Sequence, residues 1–501
     1  AAPENAEDGL VWSEMVAQID SPGCMGKWIS VDDLSRERYF SQQPWILVDG
    51  GLEMIEEVNK SSPGKLISRI AEIGAGAVTR EDSVYMIGGG CADRNRISRH
   101  QQRQLIEGTE VRDYTISDST VAIWPYSMET LNYKFSREIQ RFLWPYRRQL
   151  RGRVAFGKTQ IQRGLSWVEY SMFFKERYRS ELSIAFPEVT THNHFVLDRG
   201  GKVFKQTAPV IKLGEGASEE DHLRLLGVLN SSTAALWLKM NCHNKGGPGG
   251  GYSKGEKWRD FYQFNGRNIE RFPLPAAYPT EIAIALEDLA QELSAASPSV
   301  LTTEAVPTAV ALREARATWE SLRRKMIFLQ EELDWQVYSL YNLHDEDLRT
   351  PASIDISEIS LGERAFEIVL ARRVVDGEAT NRWFVDHAST PITELPSDWP
   401  EEYRQVVQKR IDAIASSRAI GMVERPDFKR PWATEGWDSL QDKALRSWLL
   451  DRMEARELWF DDNDMPALST LSQLADALSR DEDFSSVARI YAPRQELADL
   501  L

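Results

Sequence analysis

The pattern of apolar residues changes at the sequence RFPLP, which ends at residue 275. Before it, short apolar runs are broken by glycine, as in IAEIGAGAVTREDSVYMIGGG, and this is typical of short strands. After it, apolar residues recur at the spacing of one helix face. These positions are Ile282, Leu286, Leu289 and Leu293, then Trp319, Leu322, Met326, Leu329, Leu333, Val337 and Leu340. The sequence therefore predicts an α+β fold class, with a mixed α/β region followed by a helical pair and a mainly helical C-terminal domain.

Three local patterns give more detailed predictions. Residues 192–213, HNHFVLDRGGKVFKQTAPVIKL, predict two strands joined by a Gly-Gly turn. Ser218 followed by Asp221 is an N-cap pattern ahead of an apolar run, so a helix is predicted to begin there. Residues 294–307, which are rich in Ser, Thr and Pro, predict a loop between two antiparallel helices.

A chain of 501 residues is too long for one compact core, so several domains are expected. We predict a linker at 1–60, a mixed α/β domain at 61–275, the helical pair at 276–345 and an acidic, mainly helical domain at 346–501. The three cysteines are too scattered for a disulfide framework or a zinc knuckle, so we predict no metal site and a cytoplasmic location. No run of 18 apolar residues occurs, so no membrane span is predicted.

The distribution of charge is more informative than its sum. The whole chain has a formal net charge of −16, but residues 141–275 contain 22 Lys and Arg against 12 Asp and Glu. Within residues 141–164 every charged side chain is an Arg or a Lys, and Trp144, Tyr146 and Phe156 lie among them. A solvated helix normally mixes both signs, because like charges repel one another unless an anion offsets them. We therefore predict that this segment contacts nucleic acid.

A second cationic segment is rich in glycine. Five glycines lie between Lys245 and Lys254, and alternating basic and aromatic residues follow. The segment does not match the spacing of a phosphate-binding P-loop. The order of elements also differs, because a P-loop precedes its helix whereas this segment follows a predicted helix. Two alternatives stay open, a flexible linker and a mobile cationic loop whose lysines contact DNA phosphates while its aromatic rings stack on bases.

Residues of both segments make up the predicted DNA-binding set. The predicted DNA contacts are Arg147, Arg148, Arg151, Arg153, Lys158, Arg163, Lys245, Lys254, Lys257 and Arg259, and the predicted stacking residues are Trp144, Tyr146, Tyr252 and Trp258. His192 and His194 are added because two residues at this spacing on a strand share one face. Without further ligands they do not indicate a metal site, so a structural role or a DNA contact is predicted.

The sequence contains no recognisable catalytic constellation. EIGAGAV (72–78) resembles part of a nucleotide-binding turn, but it lacks the third glycine and is better explained as a strand bent by glycine. No nucleophile-elbow or zinc-protease motif occurs. We predict no catalytic residue in this chain.

Longer phrases of the sequence carry a family resemblance. IGAGAVTREDSVYMI, WPYRRQLRGR, FPEVTTHNHFVLDRGGKVFKQTAPVIKL, LLGVLNSSTAALWLK and FYQFNGRNIERFPLP resemble the target-recognition half of adenine-specific DNA methyltransferases, of the large single-chain kind related to Eco57I and TaqI. FLQEELDWQVYSLYNL, LGERAFEIVLARR, STPITELP, ERPDFKRPW and ALRSWLLDRME resemble more closely the PglX methyltransferases of BREX phage-defence systems, in their type 2 form. The resemblance covers most of residues 20–495.

The resemblance implies a division of labour between domains. Members of the family methylate the N6 atom of adenine with S-adenosylmethionine and hold the flipped base with an [DN]-P-P-[YFW] motif, but this sequence contains no Pro-Pro and no Asn-Pro pair. We therefore expect the catalytic domain and its S-adenosylmethionine upstream of Ala1, no cofactor in this chain, and a DNA target-recognition domain at 61–275. The implied partners are double-stranded DNA, the upstream methyltransferase domain and other subunits of a defence system.

Two other function classes stay open at this point. In a protein-interaction scaffold, the acidic helical ends would dock partner subunits and the basic middle would dock an acidic partner. Competition by DNA would distinguish this hypothesis from DNA binding. A nuclease with an unrecognised site would show divalent-metal-dependent DNA cleavage.

Overall fold

The structure is a computed structural model of the 501-residue chain. It describes residues 5–26, 28–48, 50–117, 121–179, 181–251, 253, 256–432, 434–463 and 465–495. The chain divides into two compact units, Ala1–Glu56 and Glu57–Leu501. No helix in the described ranges is long and apolar enough to cross a membrane.

The first unit is small, and polar contacts link its elements. It contains α1 (Leu10–Gln18), α2 (Arg36–Phe40), a two-stranded antiparallel sheet of β1 (Cys24–Met25) and β2 (Ser30–Val31), and the start of α3 (Gly51–Lys60). The backbone N–H of Trp28 donates to Glu14 at 2.7 Å, and Arg38 forms ion pairs with Glu53 and Glu56. These contacts tie α1 to the sheet and α2 to α3.

The second unit begins with many short strands. They are β3 (Gly64–Lys65), β4 (Ile70–Gly74), β5 (Ala77–Val78), β6 (Met86–Ile87), β7 (Gln102–Ile106), β8 (Val111–Arg112), β9 (Thr115–Ile116), β10 (Val121–Ile123), β11 (Val154–Ala155), β12 (Lys158–Thr159), β13 (Met172–Phe173), β14 (Ser183–Ala185), β15 (Val189–Thr190), β16 (Val196–Asp198), β17 (Val203–Phe204), β18 (Val210–Leu213), β19 (His243–Gly246), β20 (Phe261–Gln263) and β21 (Pro273–Leu274). Two four-stranded sheets, in the orders β17-β7-β10-β6 and β16-β14-β18-β4, and one three-stranded sheet, β15-β20-β19, form its larger assemblies. Pairing is antiparallel except between β17 and β7.

Helices connect these strands and make up the remainder of the unit. They are α4 (Asp82–Tyr85), α5 (Gly89–Arg94), α6 (Arg137–Leu143), α7 (Arg147–Gly152), α8 (Lys175–Arg179), α9 (Glu219–Leu229), α10 (Ser232–Asn241), α11 (Gly266–Ile269), α12 (Thr280–Ala295), α13 (Pro298–Glu304), α14 (Ala309–Leu340), α15 (Ala365–Val375), α16 (Arg382–Asp386), α17 (Glu401–Ser416), α18 (Arg418–Val423), α19 (Trp437–Met453), α20 (Leu471–Ser479) and α21 (Glu482–Tyr491). Strands before residue 275 and helices after it confirm the predicted α+β class. The predicted boundaries at 275/276 and 345/346 stay predictions, because residues 57–501 form one unit.

The two predicted strands joined by a Gly-Gly turn are confirmed as β16 and β17, but these strands do not pair with each other. Gly200 and Gly201 both have positive φ and turn the chain between β16 and β17. The two strands then enter different sheets, because β16 pairs with β14 whereas β17 lies parallel to β7. The two glycines therefore indicate where the chain turns, but they do not indicate which strand β17 pairs with. That partner, β7, lies about one hundred residues earlier in the chain.

The predicted helix start at Ser218 is confirmed. The Ser218 hydroxyl accepts from the N–H of Asp221 at 3.2 Å, and the Asp221 carboxylate accepts from the N–H of Ser218 at 2.9 Å. The predicted helices around 282–293 and 319–340 are α12 and α14, which pack against each other. The predicted loop between them contains α13, because Ser297 caps a helix whose first residue is Pro298.

An aromatic core supports the strands near the basic segment. Trp124 lies at its centre, with the rings of Tyr126, Tyr170 and Phe173 at 5.0 to 6.2 Å in edge-to-face arrangements. The Tyr170 hydroxyl donates to the carbonyl of Ile123 at 2.6 Å. Such interlocked rings bury a large apolar area, so they form a rigid base for what projects from them.

Candidate nucleic-acid interface

The basic segment folds into short elements anchored by a few apolar residues. Ser136 caps α6 by accepting from the N–H of Ile139, and Pro145 is the second residue of a short 3₁₀ helix, Trp144–Tyr146. Leu143 and Leu150 are fully buried on one side of α6 and α7. The opposite side carries the charged residues, so the local amphipathic pattern directs the cations outward.

The outward side of this segment forms what we call the basic surface. It consists of the exposed residues Arg141, Trp144, Tyr146, Arg148, Arg151, Phe156 and Lys158. Within the described part of the chain, none of its four cations has an ion-pair partner within 4 Å. Because charges of one sign meet no protein anion here, the surface is suited to an anionic ligand.

Two of the predicted cations lie at the edge of this surface and have other contacts. Arg147 stacks its guanidinium 4.3 Å from the centre of the Trp144 ring and donates to the Trp144 carbonyl. Arg163 donates to the hydroxyl of Ser171 at 3.2 Å. Both are half-buried, so each has donors left for a phosphate while its position is fixed by the protein.

The prediction of a DNA contact is wrong for Arg153. Its guanidinium is buried and donates to the carbonyls of Leu150, Thr79, Trp167 and Glu169 at 2.7 to 3.0 Å. Four carbonyl acceptors occupy the donors that a phosphate would need. Arg153 therefore holds the segment onto the aromatic core.

His192 and His194 are also interior residues, and the structure corrects their predicted DNA contact. The Nδ1 atom of His194 accepts from the N–H of Asp113 at 3.3 Å and from Arg430 at 3.0 Å. Neither ring nitrogen of His192 has a hydrogen-bond partner among the described residues. Burial lowers the pKa of both rings well below the usual value, so both are neutral.

The glycine-rich segment is an ordered turn at its base. Gly246, Gly249, Gly250 and Gly251 have positive φ, and a Cβ at Gly246 would lie 2.4 Å from the Gly251 carbonyl oxygen. Asp260 is buried below the turn and accepts from Ser253 N–H at 2.9 Å and from Asn244 at 3.0 Å. Although its burial opposes ionisation, these hydrogen bonds lower the pKa of Asp260, so the loop is closed on a carboxylate.

The residues predicted for DNA contact around this turn have different fates. Lys245 and Lys257 are exposed. Tyr252 and Lys254 lie outside the described residues. Trp258 and Arg259 are corrected, because Trp258 packs 5.8 Å from Trp383 and Arg259 forms ion pairs with Glu256 and Asp386. These last two side chains join the turn to α16.

The glycines of EIGAGAV have a structural explanation. The N–H of Gly76 donates to the carbonyl of Phe204 at 2.9 Å, and a Cβ at Gly76 would lie 3.0 Å from that oxygen. The glycine is therefore needed for close approach of two backbones. Packing against Phe204 thus accounts for the glycine at position 76.

Sequence reasoning missed a buried polar network centred on Lys429 and Arg430. Arg430 donates to Gln330 at 2.9 Å, to the side chain of Asn230 at 2.8 Å and to the Asn193 carbonyl at 3.1 Å, and its guanidinium lies 3.4 Å from Asp113. The phrase ERPDFKRPW was visible in the sequence, but the acceptors come from four distant segments. The network joins strand-rich and helical parts into one unit.

Lys429 occupies a second centre of this network. Its ammonium lies 2.8 Å from Asp334 and 2.7 Å from Glu424, and Asp334 also accepts from the N–H and hydroxyl of Ser232 at the start of α10. Burial alone would lower the pKa of Lys429, but these carboxylates raise it above the usual value, and the lysine is charged. Among the described residues, no group of three His, Cys, Asp or Glu side chains could hold a metal ion.

The chain has similarities to known proteins. A family model described as Domain of unknown function (DUF7008) matches residues 326–501. The adenine-specific methyltransferase PglX of Streptomyces coelicolor is 54% identical over 511 aligned residues, which cover all of this chain and 42% of that protein. The chain thus spans less than half the length of this curated relative.

Two solved structures also align with part of the chain. The type IIL restriction-modification enzyme MmeI in complex with DNA is 13% identical with a TM-score of 0.30, and the type IIG restriction endonuclease BpuSI is 12% identical with a TM-score of 0.33. Each alignment covers 57% of this chain and 34% of the other. Along its whole length this chain is similar to part of a PglX adenine-specific methyltransferase, which confirms the resemblance drawn from its sequence.

Proposed function

We propose that this chain binds double-stranded DNA and supplies target recognition for site-specific N6-adenine methylation in a phage-defence system. The observation that carries the proposal is the basic surface, whose four cations are exposed and have no ion-pair partner within 4 Å among the residues that the structure describes. The name of the relative, an adenine-specific methyltransferase, supplies the reaction and the target base.

The chemistry of the basic surface suits a duplex backbone. Arginine and lysine neutralise phosphates and release condensed counterions, which gives affinity without sequence preference. Trp144 and Tyr146 present apolar faces beside these cations, so they can pack on sugars or on exposed bases. Sequence reading would come from polar side chains that reach base edges in the grooves.

Methyl transfer itself is assigned to another part of the protein. S-adenosylmethionine, the methyl donor, would be held by the upstream methyltransferase domain. The role of this chain is to fix the position and register of the DNA, because the reacting base must be presented outside its stack. No step of the transfer is assigned to residues of this chain.

The test is fluorescence anisotropy of this chain on duplex DNA across a series of salt concentrations. The double variant Arg148→Ala, Arg151→Ala should reduce the slope of log affinity against log salt by about 1.8, since each phosphate contact contributes about 0.9. A matched control, Arg313→Ala with Arg446→Ala, removes two exposed arginines elsewhere in the unit and should leave the slope unchanged.

The outcomes separate the alternatives. Equal loss of slope in both double variants would mean that only overall charge matters, and the basic surface would not be the contact site. Absence of binding by the wild-type chain at low salt would contradict DNA binding by this chain alone and would favour a protein-interaction scaffold.

A further inference from the structure

One feature of the basic surface is not explained by phosphate binding. Phe156 is 85% exposed at the tip of the hairpin formed by β11 and β12. An apolar ring is not stabilised by exposure to water, and it has no donor with which to bind a phosphate oxygen. It lies in the middle of an otherwise cationic segment, two residues before Lys158.

The hairpin holds the ring in a strained backbone conformation. The register pairs Val154 with Thr159 and Ala155 with Lys158, so Phe156 and Gly157 form a two-residue loop. Both have positive φ, 52° and 73°, as a type I′ turn requires. A bulky residue at positive φ is rare and costs about 1–3 kcal/mol, whereas Asn or Asp would fit there readily.

The base of the hairpin is fixed in the interior. Arg153, which precedes β11, makes the four carbonyl contacts described above, and Gln160, which follows β12, is fully buried and donates to the carbonyls of Glu169 and Tyr170. The N–H of Gln160 also donates to the Arg153 carbonyl at 2.9 Å. Ala155 is buried between them. The base of the hairpin is therefore anchored, and Phe156 lies at its exposed tip.

An apolar tip lies here among cations that have no ion-pair partner in the described part of the chain, and this combination fits one kind of occupant. Proteins that kink or open duplex DNA insert apolar side chains between base pairs while neighbouring cations bind the phosphates. Arg151 at the end of α7 and Lys158 on β12 supply cations on both sides of Phe156 in the chain, and both are exposed. A protein interface usually has charges of both signs around such an apolar residue. The charged residues on either side of Phe156 in segment 141–164 are all cations.

We propose that Phe156 is a wedge that inserts into the base stack of the bound duplex. The proposal rests on the proposed function, because it requires DNA on the basic surface. The wedge would lower the cost of unstacking at the site where a base is to be extruded. No bond is made or broken by the residue, so it is a positioning residue.

The wedge can be tested without knowledge of the recognition sequence. Relaxed closed-circular plasmid is incubated with saturating protein, treated with a topoisomerase, and analysed for change in linking number after deproteinisation. Inserted side chains unwind DNA, so the wild-type chain should shift the topoisomer distribution. Anisotropy on linear duplex runs in parallel, so that binding and unwinding are measured separately.

The decisive variant is Phe156→Asn. It creates the Asn-Gly pair that type I′ turns prefer, so the hairpin should keep its shape and its thermal midpoint. Affinity should weaken by no more than about tenfold with an unchanged salt slope, since no phosphate contact is removed, while unwinding falls by about half or more. Phe156→Trp keeps a flat ring and should retain unwinding. Phe135→Asn removes another exposed ring of the same unit and should leave it unchanged.

Each result decides between two statements. Wild-type binding with unwinding that persists in Phe156→Asn, or with no unwinding at all, would overturn the wedge and leave the proposed DNA binding intact. Absence of wild-type binding would overturn the proposed function, and the wedge with it. Binding retained and unwinding lost in Phe156→Asn alone would support both.

Discussion

The second unit contains two cationic segments that use the same side chains in opposite ways. On the basic surface, Arg148 and Arg151 are exposed and meet no protein anion within the described ranges. In residues 424–430, ERPDFKR, Lys429 and Arg430 lie in the interior among carboxylates and carbonyl groups. A cation is thus tolerated inside only where several acceptors converge on it, and a cation left outside without an anion is available to a ligand. We therefore expect substitutions in residues 424–430 to have the larger effect on stability, and substitutions on the basic surface to have the larger effect on DNA binding.

The largest expected effect is on the interior segment. Lys429→Met leaves Asp334 and Glu424 buried without their shared cation, so the free energy of unfolding should fall by about 3–5 kcal/mol. Urea unfolding followed by circular dichroism would measure it. The matched control, Lys443→Met, removes an exposed lysine and should change stability by less than about 0.5 kcal/mol. If both variants lowered the free energy of unfolding by the same small amount, Lys429 would not have the predicted role in the interior.

The second prediction separates neighbours within one run of cations. Arg153→Lys keeps the charge but cannot reach four carbonyls, so it should cost about 2–3 kcal/mol. Arg151→Lys, two residues earlier and exposed, should cost less than about 0.5 kcal/mol. Thermal unfolding of the two variants side by side is the measurement, and a smaller loss for Arg153→Lys than for Arg151→Lys would contradict the assignment of the interior role.

The third prediction concerns acid stability. Burial lowers the pKa of His192 and His194 well below the value of 6.5 expected in an unfolded chain. Below pH 6.5 the unfolded chain therefore binds protons that the folded chain does not, and stability falls as pH falls. Each ring should contribute about 1.4 kcal/mol per pH unit below that value.

The variant His192→Leu isolates one of these rings. Its loss of unfolding free energy between pH 7 and pH 5.5 should be smaller than that of the wild type by about 1.4 kcal/mol. His100→Leu, which changes an exposed ring, should show the wild-type difference. If both variants follow the wild-type pH profile, His192 does not carry the predicted proton linkage.

The sequence predicted what depends on near neighbours. The N-cap at Ser218 is confirmed because Ser218 and Asp221 satisfy one another within a single turn. The predicted helix at α14 is confirmed because its apolar face repeats from Trp319 to Leu340, which is about six turns. The pairing of β17 with β7 was not predictable, because a turn signal at Gly200 contains no information about a strand near residue 105.

The same limit applies to the candidate site. Arg151 and Arg153 belong to one run of cations, and they differ in the structure because the carbonyls of Thr79, Trp167 and Glu169 converge on Arg153 alone. Likewise, nothing in the phrase THNHF indicates that Arg430 lies against His194. Charge and composition locate a surface, but distant backbone acceptors decide which of its cations are free.

The smallest expected change in stability belongs to the variants that should affect binding most. Arg148→Ala with Arg151→Ala removes two cations that repel their neighbours and have no ion pair with any residue in the described ranges, so the free energy of unfolding should stay within about 0.5 kcal/mol of the wild type. Urea unfolding at low salt, where repulsion is least screened, is the sensitive condition. A loss above about 1.5 kcal/mol would show that these arginines support the fold, and the contrast between an exterior segment free for DNA and an interior segment committed to the core would no longer hold.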